Sequence, residues 1–103
     1  VTYADGKESM RVNLKLFLPV LPEAIGRREL EVEFAGGTVN DLIEHLVARY
    51  GRKARQALYD RGGKLDPVVQ VLLNGEEWVT HDRLDTVLQD GDDVALMILM
   101  AGG

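Results

Sequence analysis

The stretch that decides the fold is Asp90-Gly91-Asp92-Asp93-Val94-Ala95-Leu96-Met97-Ile98-Leu99-Met100-Ala101-Gly102-Gly103, the end of the chain as given. Asp90-Gly91-Asp92 has the residue types of a tight turn. The run that follows, Val94 to Met100, is apolar at every position, whereas a strand with one wet face alternates apolar and polar residues. The run therefore predicts a strand in the middle of a sheet, with other strands on both sides of it. Ala101-Gly102-Gly103 leaves that strand as a tail almost without side chains.

Outward from this strand, the rest of the sequence supplies its neighbours. Met10, Val12, Leu14, Leu16 and Leu18 alternate with Arg11, Asn13, Lys15 and Phe17, a half-buried strand in which Phe17 is the apolar exception on the polar face. Val1 to Ser9 shows no such period, so residues 1–9 are expected to form a flexible, dispensable N-terminal arm and the domain to run from 10 to 103. Pro19, Pro22 and Gly26 interrupt the alternation. It resumes with Leu30, Val32 and Phe34 facing in and Glu29, Glu31 and Glu33 facing out.

Gly36-Gly37 turns the chain. Thr38, with Asp41 three residues later, has the spacing of a helix N-terminal capping box. Val39, Leu42, Ile43, Leu46, Val47 and Tyr50 recur every three or four residues and make one apolar stripe, Gly51 suits the C-cap, and His45 is expected on the opposite face. A shorter helical piece through Ala54, Ala57 and Leu58 stops at Gly62-Gly63. Pro67 then introduces a run from Val68 to Leu73, which Asn74-Gly75 folds back onto a short strand at Trp78-Val79. The stretch from Thr80 to Leu88 reads as irregular. The pattern predicts an α+β fold: a mixed sheet of four to five strands on one principal helix, plus a short second helix.

Composition narrows function by exclusion. Length, 103 residues with 46% hydrophobic and 28% charged, is that of one globular domain without repeats or linkers. There is no cysteine, which removes disulfides, thiolate metal sites and cysteine nucleophiles together. A net charge of −5 disfavours nucleic acid as the main partner. No apolar run is long enough to span a bilayer and no signal-like start is present, so no membrane partner and a cytoplasmic location are expected. Arg49, Arg52, Lys53, Arg55, Arg61 and Lys64 lie in one stretch that reads as a solvated helix face.

Few residues carry chemistry. His45 and His81 stand alone, away from metal or catalytic spacing. Asp90, Asp92 and Asp93 lack the remaining ligand positions of a calcium loop and read as a solvated turn. No phosphate-binding loop is present, so any nucleotide is expected on a partner. What remains is the tail. Gly has no Cβ, so Gly102 and Gly103 could thread a narrow active site and expose the terminal carboxylate to attack. Phe17, Met97 and Leu99 fall on the sheet face away from the principal helix, an apolar docking surface beside the tail unless the Ala54–Arg61 segment or the N-terminal arm covers it.

Leu16-Phe17, Thr38-Val39-Asn40-Asp41-Leu42, Leu73-Asn74-Gly75-Glu76 and Asp90-Gly91-Asp92-Asp93-Val94-Ala95 followed by Ala101-Gly102-Gly103 together resemble the MoaD and ThiS family. These are the small subunit of molybdopterin synthase and the thiamin sulfur carrier, both ubiquitin-like β-grasp proteins. The resemblance covers about Met10 to Gly103. It implies a carrier and not an enzyme, either free-standing or as the small subunit of a synthase such as molybdopterin synthase. A ubiquitin-activating-type enzyme, using its own ATP and magnesium, would adenylate Gly103; a sulfur donor would convert it to a thiocarboxylate; and a sulfur-accepting synthase subunit would take the sulfur, molybdopterin synthesis first among the pathways. No cofactor is expected on the chain itself. Phe17 and Met97 match partner-contact positions of the family, and Leu99, Met100, Ala101 and Gly102 would accompany Gly103 into the partner. Ile98-Leu99 departs from the family's molybdopterin synthase subunits, which carry a proline pair there. Two other readings of the same residues are a protein modifier joined through Gly103 to lysine, and a non-covalent binding module.

Overall fold

A computed structural model describes residues 9–18 and 28–98. In chain order they form β1 (Met10–Phe17), β2 (Glu29–Phe34), α1 (Val39–Tyr50), α2 (Arg52–Leu58), β3 (Val69–Leu73), β4 (Glu77–Val79), a 3-10 turn (His81–Arg83) and β5 (Asp93–Ile98). The strands make one sheet in the order β2-β1-β5-β3-β4. β5 thus takes the central place that its unbroken apolar run demands. It lies parallel to β1, with Leu14 beside Val94 and Leu16 beside Leu96, and antiparallel to β3, with Val71 beside Leu96. The expected N-terminal arm lies outside the described residues except for Ser9, whose hydroxyl donates to the Glu33 carboxylate at 2.7 Å.

One side of the sheet is the core. Val12, Leu14 and Leu16 from β1, Val94 and Leu96 from β5, and Val69 and Val71 from β3 are all buried there. The stripe of α1 closes over them with Val39, Leu42, Ile43 and Leu46, and α2 adds Ala54 and Leu58 to the same cluster. α2 therefore serves the core beside α1, and Phe17, on the opposite face, is 54% exposed. His45 does not point away from the sheet as periodicity suggested: its ring lies 5.7 Å from that of Phe34, at the end of β2. With 3.6 residues per turn, a position on the flank of a short stripe can still reach a sheet edge.

The start of α1 shows what the irregular stretch before β5 does. A helix begins with four N–H groups that have no partner within it. Here Val39 N–H donates to Thr86 O at 2.9 Å and Asn40 N–H to Leu84 O at 2.9 Å, while Leu42 N–H makes the first bond of the helix itself, to Thr38 O at 3.1 Å. Asp41 N–H donates to Thr38 Oγ1 at 3.1 Å, and the Asp41 carboxylate accepts from Thr38 N–H at 2.9 Å, closing the capping box. Gly37, at φ +126°, sits where an added Cβ would collide with the Asp41 carboxylate. Its carbonyl accepts from Leu88 N–H at 2.8 Å.

Thr38→Ala should lower the free energy of unfolding by about 1 kcal/mol, the typical cost of a lost N-cap. Gly37→Ala should cost more, because it adds a collision to an unfavourable positive φ. Urea denaturation of both variants checks this, and a Gly37→Ala variant as stable as the parent would contradict the geometry.

Candidate functional site

The sheet face away from the helices is where the sequence placed a docking surface, and strand register fixes its composition. Each strand contributes alternate residues to this face. Asn13 of β1 neighbours Asp93 of β5, Lys15 neighbours Ala95, and Phe17 neighbours Met97. Across β5, Ala95 pairs with Leu72 and Met97 with Gln70, and Leu72 pairs in turn with Trp78. Two rows of side chains therefore cross the face: Lys15–Ala95–Leu72–Trp78, and Phe17–Met97–Gln70. Phe17 and Trp78 are large apolar side chains, 54% and 55% exposed.

Sequence reasoning brought Phe17 and Met97 together, and the register bears out that adjacency. It missed Leu72 and Trp78. Asn74-Gly75 signals a two-residue hairpin, which would set Val71 opposite Trp78; the loop in fact spans residues 74–76, and the extra residue sets Leu72 opposite Trp78 with Val71 and Val79 inward. Leu72 was hidden in an apolar run without alternation. Leu99, Met100, Ala101, Gly102 and Gly103, the remaining predicted site residues, lie outside the described residues.

The rim nearest the start of β5 is polar and internally bonded. Asp93 Oδ1 accepts from Asn13 Nδ2 at 2.9 Å, and Asp93 N–H donates to Asn74 Oδ1 at 2.8 Å. Asp92 accepts from Asn74 Nδ2 at 3.1 Å and from Gln89 N–H at 2.8 Å, while Asp90 accepts from Arg11 N–H at 2.8 Å. The acidic turn spends its oxygens on neighbouring amides. Among the described residues no group of His, Asp and Glu side chains is placed to hold a metal ion. His81, read as an isolated histidine, has its Nε2 2.7 Å from Val69 O.

Tyr59, whose phenol is held above its ordinary range by burial and then by the nearby Glu44 charge, sits just beyond α2. Asp82, lowered first by its hydrogen bond from Thr80, belongs to the 3-10 turn. The basic stretch is exposed on and around α2, where Arg55 stacks 5.7 Å from the Tyr59 ring centre. What the candidate site offers is apolar area and a strand that leads into a glycine-ended tail.

This sheet wrapped on one principal helix is a ubiquitin-like β-grasp fold. Residues 16–103 match the ThiS family, and the chain belongs to that family. It is 34% identical over 91% of its length to small archaeal modifier protein 3 of Haloferax volcanii, covering 100% of that protein. It is 31% identical over 81% of its length to a candidate sulfur carrier protein of Archaeoglobus fulgidus, covering 93% of it. In three dimensions it matches the solution structure of the HVO 2177 protein of Haloferax volcanii with a TM-score of 0.75 and 33% identity, over 99% of this chain and 94% of that one. Sulfur carriers and ubiquitin-like modifiers are thus its relatives. No described helix is long and apolar enough to cross a membrane.

Trp78 is the chain's only tryptophan and reports on the candidate face directly. Its emission should be that of a water-exposed indole, readily quenched by acrylamide in the native protein. A blue-shifted emission protected from acrylamide would show the face to be covered.

Proposed function

We propose that the chain is a sulfur carrier that works through a thiocarboxylate at Gly103. The observation that carries the reading is the apolar face of Phe17, Met97, Ala95, Leu72 and Trp78 around the strand that leads into Ala101-Gly102-Gly103. Its relationship to a candidate sulfur carrier supports it. A glycine carboxylate is a poor acyl donor, so its oxygen must first attack the α-phosphate of ATP on a ubiquitin-activating-type enzyme, releasing pyrophosphate and leaving an acyl adenylate. A sulfide-level nucleophile then displaces AMP and leaves the thiocarboxylate. A sulfur-accepting enzyme, molybdopterin synthase in the first instance, takes the sulfur and returns the carboxylate.

The chemistry demands a stiff platform and a slender arm. Gly103 is five residues beyond Ile98, and a fully extended segment of that length reaches at most about 18 Å. An enzyme docked on the apolar face therefore has the reacting carbon within one active-site depth of its contact surface. The chain supplies docking and the acyl group; the partner supplies nucleotide, magnesium and the catalytic groups.

Co-expressed with its own activating enzyme and a sulfur source, the intact protein should gain the mass difference of one oxygen replaced by sulfur. Deleting Gly102 and Gly103 should abolish that species while leaving the fold unchanged. Its absence, with an enzyme competent on another carrier, would refute the reading.

A second reading has its own support, since one relative is named as a modifier. The same adenylate attacked by a lysine amine gives an isopeptide bond instead of a thiocarboxylate. Peptide mapping of denatured lysates should then find Gly103 joined to lysine side chains, and cells that yield only the thiocarboxylate would exclude it.

A further inference from the structure

β2 is an edge strand, and the structure shows which of its backbone groups face outward. Leu16 N–H donates to Arg28 O at 2.7 Å, and the same register continues through Leu14 opposite Leu30 and Val12 opposite Val32. In an antiparallel pair every second residue pair exchanges hydrogen bonds. Leu30 and Val32 therefore spend their N–H and C=O groups on β1, and Glu29, Glu31 and Glu33 direct theirs to the open side. Among the described residues nothing pairs with that side. Beside it runs a groove of about 480 Å³ between β2 and the second half of α1, with Leu30, Val32, His45, Arg49 and Tyr50 along it and Glu31 and Glu33 also in its lining.

An open edge next to a groove invites a strand, and the side chains state which kind. The groove side offers Leu30, Val32 and the Tyr50 ring, over which the Arg49 guanidinium lies at 5.6 Å. The other side offers a glutamate at every position. A second copy of β2 fits badly, because any register that keeps the apolar residues on the groove side sets glutamate against glutamate. The strand that does fit is already present once: β1 places Arg11 opposite Glu33 and Lys15 opposite Glu29, with Arg11 Nε 3.9 Å from Glu33 Oε1. Glu31 faces only Asn13.

We propose that the open edge of β2 binds an extended segment of a partner protein by strand addition. The segment carries Lys or Arg at alternate positions, against Glu29, Glu31 and Glu33, and aliphatic residues between them, in the β2–α1 groove. The site is separate from the tail: β1 lies between β2 and β5, which puts the two strands about 10 Å apart. It holds whatever chemistry occurs at Gly103.

The probe is an acetylated, amidated peptide, Lys-Val-Lys-Leu-Lys-Val, titrated into the full-length isotope-labelled protein, with Glu-Val-Glu-Leu-Glu-Val as its charge-reversed control. The lysine peptide should shift the backbone amides of Glu31 and Glu33 and slow their hydrogen exchange about ten-fold or more at saturation; the glutamate peptide should leave them unmoved. Glu31→Gln disturbs no cross-strand ion pair, so the variant should fold as the parent does and bind the lysine peptide about three-fold more weakly, as one exposed charge pair allows. Equal binding of both peptides, shifts confined to Phe17, Ala95 and Trp78, or no shift at Glu31 and Glu33 would overturn the proposal. So would undiminished binding by Glu31→Gln.

Discussion

The structure depends on β5 holding β1 and β3 at once. Without it the sheet falls into two antiparallel hairpins, β1–β2 and β3–β4, and an isolated two-stranded hairpin is marginal in water. β5 joins them through a parallel ladder on one side and an antiparallel ladder on the other. Val94 and Leu96, both wholly inaccessible, are covered by α1 as well. A leucine in such a position contributes on the order of 2–5 kcal/mol relative to alanine, a large part of the stability of a domain this size. The acidic turn before β5 is part of the same junction. Asp90 holds the start of β1, Asp92 and Asp93 hold Asn74 at the β3–β4 turn, and Asp93 also holds Asn13. Three acids in four residues could suggest a cation site, yet their oxygens receive amide hydrogens from both hairpins.

That junction makes the two sheet faces unequal in a useful way. The inner face is dry and continuous. The outer face changes character along its width: glutamates with Arg11, Asn13 and Lys15 on the β2–β1 side, then Phe17, Met97, Ala95, Leu72 and Trp78 toward β4. Both regions are built on β-strands whose neighbours fix them, so neither needs ordering before it meets a partner, which lowers the entropic cost of binding.

Most of this was legible in the sequence, because each element carries its own period or cap. The all-apolar Val94–Ile98 segment gave the central strand, Thr38 and Asp41 gave the helix start, and Asn74-Gly75 gave the hairpin, where Asn74 and Gly75 both adopt positive φ. Pairwise register was harder to read, since period-two alternation says which residues share a face of one strand and not which lie side by side on the next. Phe17 was found because it breaks the polar alternation of its strand, and Met97 because assigning Val94, Leu96 and Ile98 to the helix side leaves it on the face that Phe17 occupies. Leu72 beside Trp78 was not, and His45 was placed on the wrong side because a helical wheel omits the edge strand that flanks it. The role of Leu84 to Leu88 was invisible for a related reason: Leu84 and Thr86 satisfy the first turn of α1 with backbone carbonyls and Leu88 N–H donates to Gly37 O, and backbone groups leave no trace in side-chain pattern.

The size of the apolar face bears on how a carrier would use it. Among the described residues one row of side chains spans β1 to β4 and the other β1 to β3, at most about 15 Å by 7 Å of sheet at ordinary strand and residue spacings, well short of the roughly 800 Å² per partner typical of a stable protein–protein interface. Phe17 and Trp78 can anchor an encounter, because aromatic side chains supply much contact area at low entropic cost. They cannot by themselves hold a partner for long. Under the proposed function, an acyl group activated on one enzyme and discharged on another would need this weakness, since both enzymes would have to reach the same strand end and the same tail. Lasting association would have to come from contacts elsewhere, and the glutamate-lined edge of β2 lies far enough from β5 to be occupied while the tail changes hands.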